Sequence, residues 1–177
     1  VTVVQGWGMT EMSPLGTLST LRPEMESLPL EEQFRLRALA GHGVFGVSMK
    51  TVDEEGRELP WDGKSSGELK VRGPWVCSGY FRHDSSSSHD EDGWFATGDV
   101  AAIHPNGFLQ ITDRAKDVIK SGGEWVSSVD LENCACGHPD VLMAAAIGVR
   151  HPKWDERPIL LVVPRQGHTP ARDSVLA

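Results

Sequence analysis

Residues Ile111–Glu132 read ITDRAKDVIKSGGEWVSSVDLE, and the fold is decided by how this stretch is read. Ile111 and the pair Val118-Ile119 flank an Asp-Arg-x-Lys-Asp cluster, two glycines follow at Gly122 and Gly123, and Ser-Ser-Val-Asp then opens a helix. Short strands with charges pinned between them predict a junction. Gly122 and Gly123 permit positive φ and close backbone approach, while Arg114 and Lys116 set fixed positive charge beside that turn. Such a segment can bind an anion or swivel. An ordinary charged hairpin has the same composition, so the stretch alone leaves both readings open.

Working outward, the chain has 177 residues, of which 39% are hydrophobic. That is enough for one ordinary domain, or for a large-domain fragment joined to a small domain. A formal net charge of -8 provides no long-range attraction for nucleic acid or an anionic membrane, so a phosphate ligand must be held by local groups. The longest apolar run, Val141 to Val149, is too short to span a bilayer, and VTVVQGWG lacks the basic flank of a signal peptide. A cytoplasmic protein is expected. Cys77, Cys134 and Cys136 are an odd number without framework spacing, which predicts reduced thiols rather than a disulfide scaffold. The first residue is not methionine and neither end is a capped element, so a fragment of a longer polypeptide is expected.

On the amino-terminal side, Val1 to Val4 predicts a buried strand that delivers the loop WGMTEMSP to its carboxyl end, where ligands sit in open α/β sheets. Trp7 offers a flat aromatic face, Gly8 close approach, Thr10 a hydroxyl and Glu11 a carboxylate, which suit a nucleotide with its metal. A surface loop with a capping Thr and a solvated Glu fits the same composition. Leu30 to Ala40 predicts a short amphipathic helix over the sheet. The segments Val47–Val52 and Gly67–Gly73 alternate as strands of a small, mostly antiparallel β subdomain. Arg82 to Glu91 reads as a mobile, polar surface loop, whose His83 and His89 lack metal-site spacing. In Thr97-Gly98-Asp99-Val100 an Asp follows a Gly at a tight turn, where it can cap the backbone or accept the hydroxyls of a ribose. Downstream, Ser128 to Cys136 predicts a helix capped by Ser128 and closed by His138-Pro139. Met143–Val149 and Ile159–Val163 read as two buried strands split by a loop from Arg150 to Pro158. Cys134-Ala135-Cys136-Gly137-His138 lacks a fourth metal ligand, and buried Cys is often a small hydrophobe. The usual phosphate-loop, dinucleotide and nucleophile-elbow glycine motifs do not occur.

Each signal is weak, but their order is specific. WGMTE, then GELKVRGPWVCSGYF, then DGWFATGDV, then ITDRAKDVIKSGGEWVSSVDLE closely resemble the ordered motifs of adenylate-forming (AMP-binding) enzymes, in particular an acyl-CoA synthetase or fatty-acid–CoA ligase. The tail HPDVLMAAAIGVRHPKWDERPILLVV resembles that family's C-terminal domain. The resemblance covers nearly the whole chain. It implies a mixed α/β and α+β fold, with residues 1–113 as the C-terminal portion of the large domain, 114–117 as a hinge and 118–177 as a truncated, small, mobile domain.

The same resemblance implies the chemistry. A carboxylic acid, expected to be a fatty acid, and ATP give an acyl-adenylate, and after a domain rotation the CoA thiol attacks the acyl carbon. Trp7 and Gly8 would lie at the adenine, Thr10 would contact phosphate, and Glu11 would help to hold Mg2+. Asp99 would accept the ribose hydroxyls, with Arg114 at the same ribose, Lys116 at the pivot, and Gly122-Gly123 on the CoA access loop. The adenylate step needs a metal and donors against developing phosphate charge, and the thiol step needs them withdrawn, so one hinge serves both. The family's Gly-, Ser- and Thr-rich phosphate loop is expected upstream of Val1 and its adenylation lysine downstream of Ala177, so this chain alone is expected to be inactive in adenylation. Ala96 stands where many relatives have Arg, and His42-Gly43 replaces Arg-Pro. A domain that loads a carrier protein, or a catalytically inactive nucleotide- or acyl-binding module, are the alternatives.

Overall fold

The structure, a computed structural model, describes residues 3–82 and 88–176. Two compact units divide the chain, Val1–Ile111 and Thr112–Ala177.

In the first unit, β1 (Gly6–Gly8) leads through a short 3-10 turn at Thr10–Met12 into β2 (Leu15–Leu18). Helix α1 (Leu30–Ala38) precedes β3 (His42–Gly43), and the three strands form one antiparallel sheet in sequence order. The predicted strand at Val1–Val4 is not observed in its described part: Val3 and Val4 lie outside any strand and are exposed, with no sheet neighbour to bury a β-branched run. The helix forms, but no residue of it is buried, and Phe34 stays 66% exposed. Good helix formers and the Arg35–Glu31 pair at 2.6 Å account for its existence; the packing expected against a sheet does not occur.

A second sheet has the order β4 (Ser48–Val52), β5 (Gly67–Arg72), β6 (Phe95–Ile103), β7 (Leu109–Arg114), and the last three residues of β7 belong to the second unit. Alternation makes one face of β5 apolar, with Leu69 and Val71 fully buried. With Met12, Ala40, Phe95, Ala101, Ile103 and Leu109 they form the core, against which Trp7, Met49 and Cys77 pack.

Strand β6 departs from the expected tight turn at Gly98-Asp99. It runs unbroken from Phe95 to Ile103, but pairing steps from Lys70↔Ala96 to Glu68↔Val100, so Thr97, Gly98 and Asp99 stand opposite the single residue Leu69. Gly98 takes φ 73°, which an L side chain rarely adopts, and the extra residues bulge out without ending the strand. The Thr97 hydroxyl donates to the Leu69 carbonyl at 2.9 Å and accepts from the Asp99 N–H at 3.1 Å.

In the second unit, β8 (Ile119–Ser121) and β9 (Glu124–Val126) form a hairpin turned by Gly122 and Gly123 at φ 64° and 87°. Positive φ at both central residues matches the twist of the flanking strands. Helix α2 spans Ser128–Cys136, but its cap is Ser127, one residue before the expected Ser128. Ser127 Oγ accepts from the Asp130 N–H at 3.1 Å and donates to the Thr112 carbonyl at 2.9 Å. Ser128 is drawn into the helix because its N–H and hydroxyl both donate to buried Asp113 Oδ2, at 2.6 and 2.8 Å. Gly137, before His138-Pro139, closes the helix.

Strands β10 (Val141–His151) and β11 (Asp155–Pro164) pair along their lengths, which corrects the predicted loop Arg150–Pro158 to residues 152–154. The sheet order is β10-β11-β8-β9, and a short helix α3 (Arg172–Val175) ends the unit. The two long strands are not buried as expected. Helix α2 packs against β10, where Glu132 Oε1 accepts from the Ala146 N–H at 2.9 Å. The opposite face, with Met143, Ile147, Ile159, Leu161 and Val163, stays 43–59% exposed. An apolar run shows that a strand suits burial, not that a neighbour is present on both faces. No described helix is long and apolar enough to cross a membrane. The predicted polar loop at Arg82–Glu91 falls on residues 83–87, outside the described residues, in its central part.

The bulge makes a stability prediction. Thr97→Val leaves the buried Leu69 carbonyl and Asp99 N–H without the hydroxyl, and should destabilise the fold by about 1–3 kcal/mol. Thr97→Ser, which keeps the oxygen, should lose much less. Denaturant midpoints at unchanged slope give the comparison.

Candidate functional site

The loop that carries the first motif is held by its own chain. Trp7 occupies β1, pairs with Thr17, and is partly buried against the core. Its indole Nε1–H donates to Asp99 Oδ2 at 2.8 Å, across 92 positions of sequence. Asp99 itself is 5% exposed. Gly8 is required by the chain: a Cβ there would run into the Pro14 carbonyl. Thr10 is exposed at the start of the 3-10 turn, whose cap position is Met9 with no side-chain cap, so Thr10 does not act as the capping residue.

Glu11 is partly buried in that turn and is not merely solvated. Its Oε1 accepts from the Tyr80 hydroxyl at 2.7 Å, and its carbonyl accepts from the Cys77 N–H at 2.7 Å. Tyr80 lies inside the motif GELKVRGPWVCSGYF, where no local pattern marks it as a partner of Glu11. The bond to Glu11 pushes the Tyr80 phenol up to about 12, with desolvation and the Glu11 charge adding to it.

Thus two of the expected residues, Trp7 and Asp99, are in direct contact, and Glu11 is joined to a second motif through Tyr80. In the second unit, Arg114 and Lys116 are exposed, and the Arg114 carbonyl accepts the N–H groups of Asp117 and Val118, both at 2.9 Å, in a tight turn. Lys116 lies 3.9 Å from Asp117 and its side chain is 81% exposed. The two glycines differ. Gly122 donates its N–H to the Trp154 carbonyl at 3.0 Å, and a Cβ on it would stand 2.9 Å from the Trp154 ring. A Cβ on Gly123 would meet nothing within 4 Å, so the open space expected for a narrow ligand is at Gly123 alone.

His89, His42, Gly43 and Ala96 have structural partners. His89 packs against Phe95 and bonds the Cys77 carbonyl through Nε2 at 2.8 Å, while His83 lies outside the described residues. His42 and Gly43 form β3, with the His42 ring edge-on to Phe108 at 5.7 Å. Ala96 pairs with Lys70 and its N–H bonds the Ser88 carbonyl at 3.0 Å. Cys134 and Cys136 are exposed free thiols, and among the described residues no group of three or more His, Cys, Asp or Glu could hold a metal.

Known proteins match this chain in both of its units. Residues 1–81 match the model of the AMP-binding enzyme, and residues 130–177 match that of the AMP-binding enzyme C-terminal domain. The chain belongs to the AMP-binding enzyme family. It is 52% identical over 176 residues to a 3-methylmercaptopropionyl-CoA ligase of Ruegeria lacuscaerulensis, covering 99% of this chain and 32% of that protein. It is 51% identical over 163 residues to a medium-chain-fatty-acid–CoA ligase of Ectopseudomonas oleovorans, covering 92% of this chain and 30% of that one. Among solved structures, ATP-bound MatB from Rhodopseudomonas palustris superposes with a TM-score of 0.78 at 31% identity, over 99% of this chain and 33% of the other. The chain spans about a third of the length of these relatives. The expected mixed α/β and α+β fold agrees with these matches.

Tyr80 is the single tyrosine of this chain, so tyrosinate absorbance reports it alone. Its folded pKa is raised, so the bond to Glu11 is fully present below the ordinary phenol value of about 10 and is lost as pH rises through about 12. An alkaline titration should show a midpoint near the higher value, and Glu11→Ala should return it toward the lower one. A midpoint near 10 in both would show that the bond is absent in solution.

Proposed function

We propose that the intact protein containing this chain is a cytoplasmic, AMP-forming acid–thiol ligase of the acyl-CoA synthetase type. A carboxylate oxygen of the acid attacks the α-phosphorus of ATP and pyrophosphate leaves. The CoA sulfur then attacks the acyl carbon, and AMP departs as the thioester forms. The observation that carries this reading is the pair of fixed carboxylates, Glu11 held by Tyr80 and Asp99 held by Trp7, in a chain about half identical to relatives that are named CoA ligases. The acid is a fatty acid or a small acid of similar chemistry, as the range of names from 3-methylmercaptopropionyl to medium-chain fatty acid suggests.

In this reading Trp7 and Gly8 adjoin the adenine, Thr10 bonds phosphate, and Asp99 and Arg114 take the ribose. Residues 114–117 are the hinge between a large domain ending at Asp113 and a small domain starting at Val118, and Lys116 is its pivot. Gly122 and Gly123 border the path of CoA. The residues fit Mg2+ that arrives with its nucleotide. Among the described residues Glu11 is not part of an acidic cluster, and Mg2+ is commonly bound by one or two carboxylates together with substrate phosphates and water. There the ion would neutralise phosphate charge, while Tyr80 keeps Glu11 oriented.

The test separates the two steps in the intact protein. Glu11→Gln should lower acid-dependent ATP–pyrophosphate exchange on the order of a hundredfold, the scale of losing one electrostatic stabiliser at the reacting phosphate. Lys116→Pro should depress thioester formation more than exchange, because proline fixes φ at the pivot. Unchanged exchange in the first variant would remove Glu11 from the metal role; equal losses in both steps would remove the pivot from Lys116.

A further inference from the structure

Stacking on a base requires only an aromatic face, and any of the three large aromatic side chains supplies one. Trp7 provides more. Its indole has one polar group, a donor, and that group is committed to Asp99 Oδ2 at 2.8 Å. The donor is itself fixed. The ring packs against the core, and a Cβ placed on Gly16 would lie 2.6 Å from it, so the ring rests directly on that backbone. The acceptor is fixed as well, because the Gly98 bulge sets the path of β6 and the Thr97 hydroxyl holds the Asp99 N–H at 3.1 Å. Asp99 is therefore held at its backbone from one side and at its carboxylate from the other, with only 5% of its surface exposed.

We infer that Trp7 is a positioning residue for sugar recognition, whose indole N–H orients the Asp99 carboxylate to accept the two ribose hydroxyls of ATP. This rests on the adenylation reading and adds to it a role for Trp7 that is separate from contact with the base. A carboxylate oriented in advance accepts two neighbouring hydroxyls without the ordering cost that a free rotor carries. Phenylalanine at this position would keep the aromatic face and lose the orientation.

The experiment uses the intact protein and its Trp7→Phe variant, with ATP and an ATP analogue lacking both ribose hydroxyls. Nucleotide binding is followed by calorimetry, and KM by acid-dependent pyrophosphate exchange. Trp7→Phe should weaken ATP by about tenfold, the scale of a hydrogen bond to a charged group, and leave the analogue within twofold of the wild type. The ratio of the two KM values does not depend on how much of the variant is folded. An equal penalty on both nucleotides, or none on either, overturns the inference and leaves adenylation standing. A wild type that neither binds ATP nor exchanges pyrophosphate overturns both.

Discussion

Leu69 stands opposite three residues where a regular ladder would give it one, and the first unit is organised around that mismatch. The Leu69 side chain is fully buried, so β5 cannot slip to restore the count without turning its apolar face outward. The surplus is taken up on β6, where Gly98 adopts φ 73° and Thr97 satisfies the Leu69 carbonyl. Asp99 is then presented where a regular strand would not put it, within 2.8 Å of an indole that arrives from β1. A core constraint thus determines where a carboxylate sits.

The second unit is tied at its start in a comparable way. Asp113 binds both the N–H and the hydroxyl of Ser128, and Ser127 bonds the Thr112 carbonyl, so the end of β7 is joined to the start of α2. Between these anchors lie the exposed turn at Lys116 and the glycine hairpin. The proposed pivot and the proposed CoA path therefore lie between two fixed points, the bonds of Ser127 to Thr112 and of Ser128 to Asp113.

Local pattern made much of the fold legible, and its failures have physical causes. Alternation locates the strands at Val47–Val52 and Gly67–Gly73, and the helix at Ser128–Cys136 is found with its cap one residue off, because both signals are carried by neighbours in sequence. The cap was misplaced by one residue because Ser127 and Ser128 are equivalent to a pattern and only Asp113 distinguishes them. Val3 and Val4, and the outer face of β10 and β11, are exposed because hydrophobicity does not disclose which neighbours are present. For the candidate site, ordered motifs singled out Trp7, Glu11 and Asp99. The bonds that orient them, Trp7 to Asp99 and Tyr80 to Glu11, join residues 92 and 69 positions apart, which no local pattern reveals.

In the proposed reaction the acid is activated by attack on the α-phosphorus of ATP, which moves one of its oxygens onto AMP. Incubating the intact protein with ATP, CoA and a fatty acid labelled with heavy oxygen in its carboxylate, then weighing the AMP by mass spectrometry, tests this directly. Each AMP formed should carry one labelled oxygen, in step with acyl-CoA. Thioester formed with unlabelled AMP, or with ADP and phosphate as the products, would contradict it.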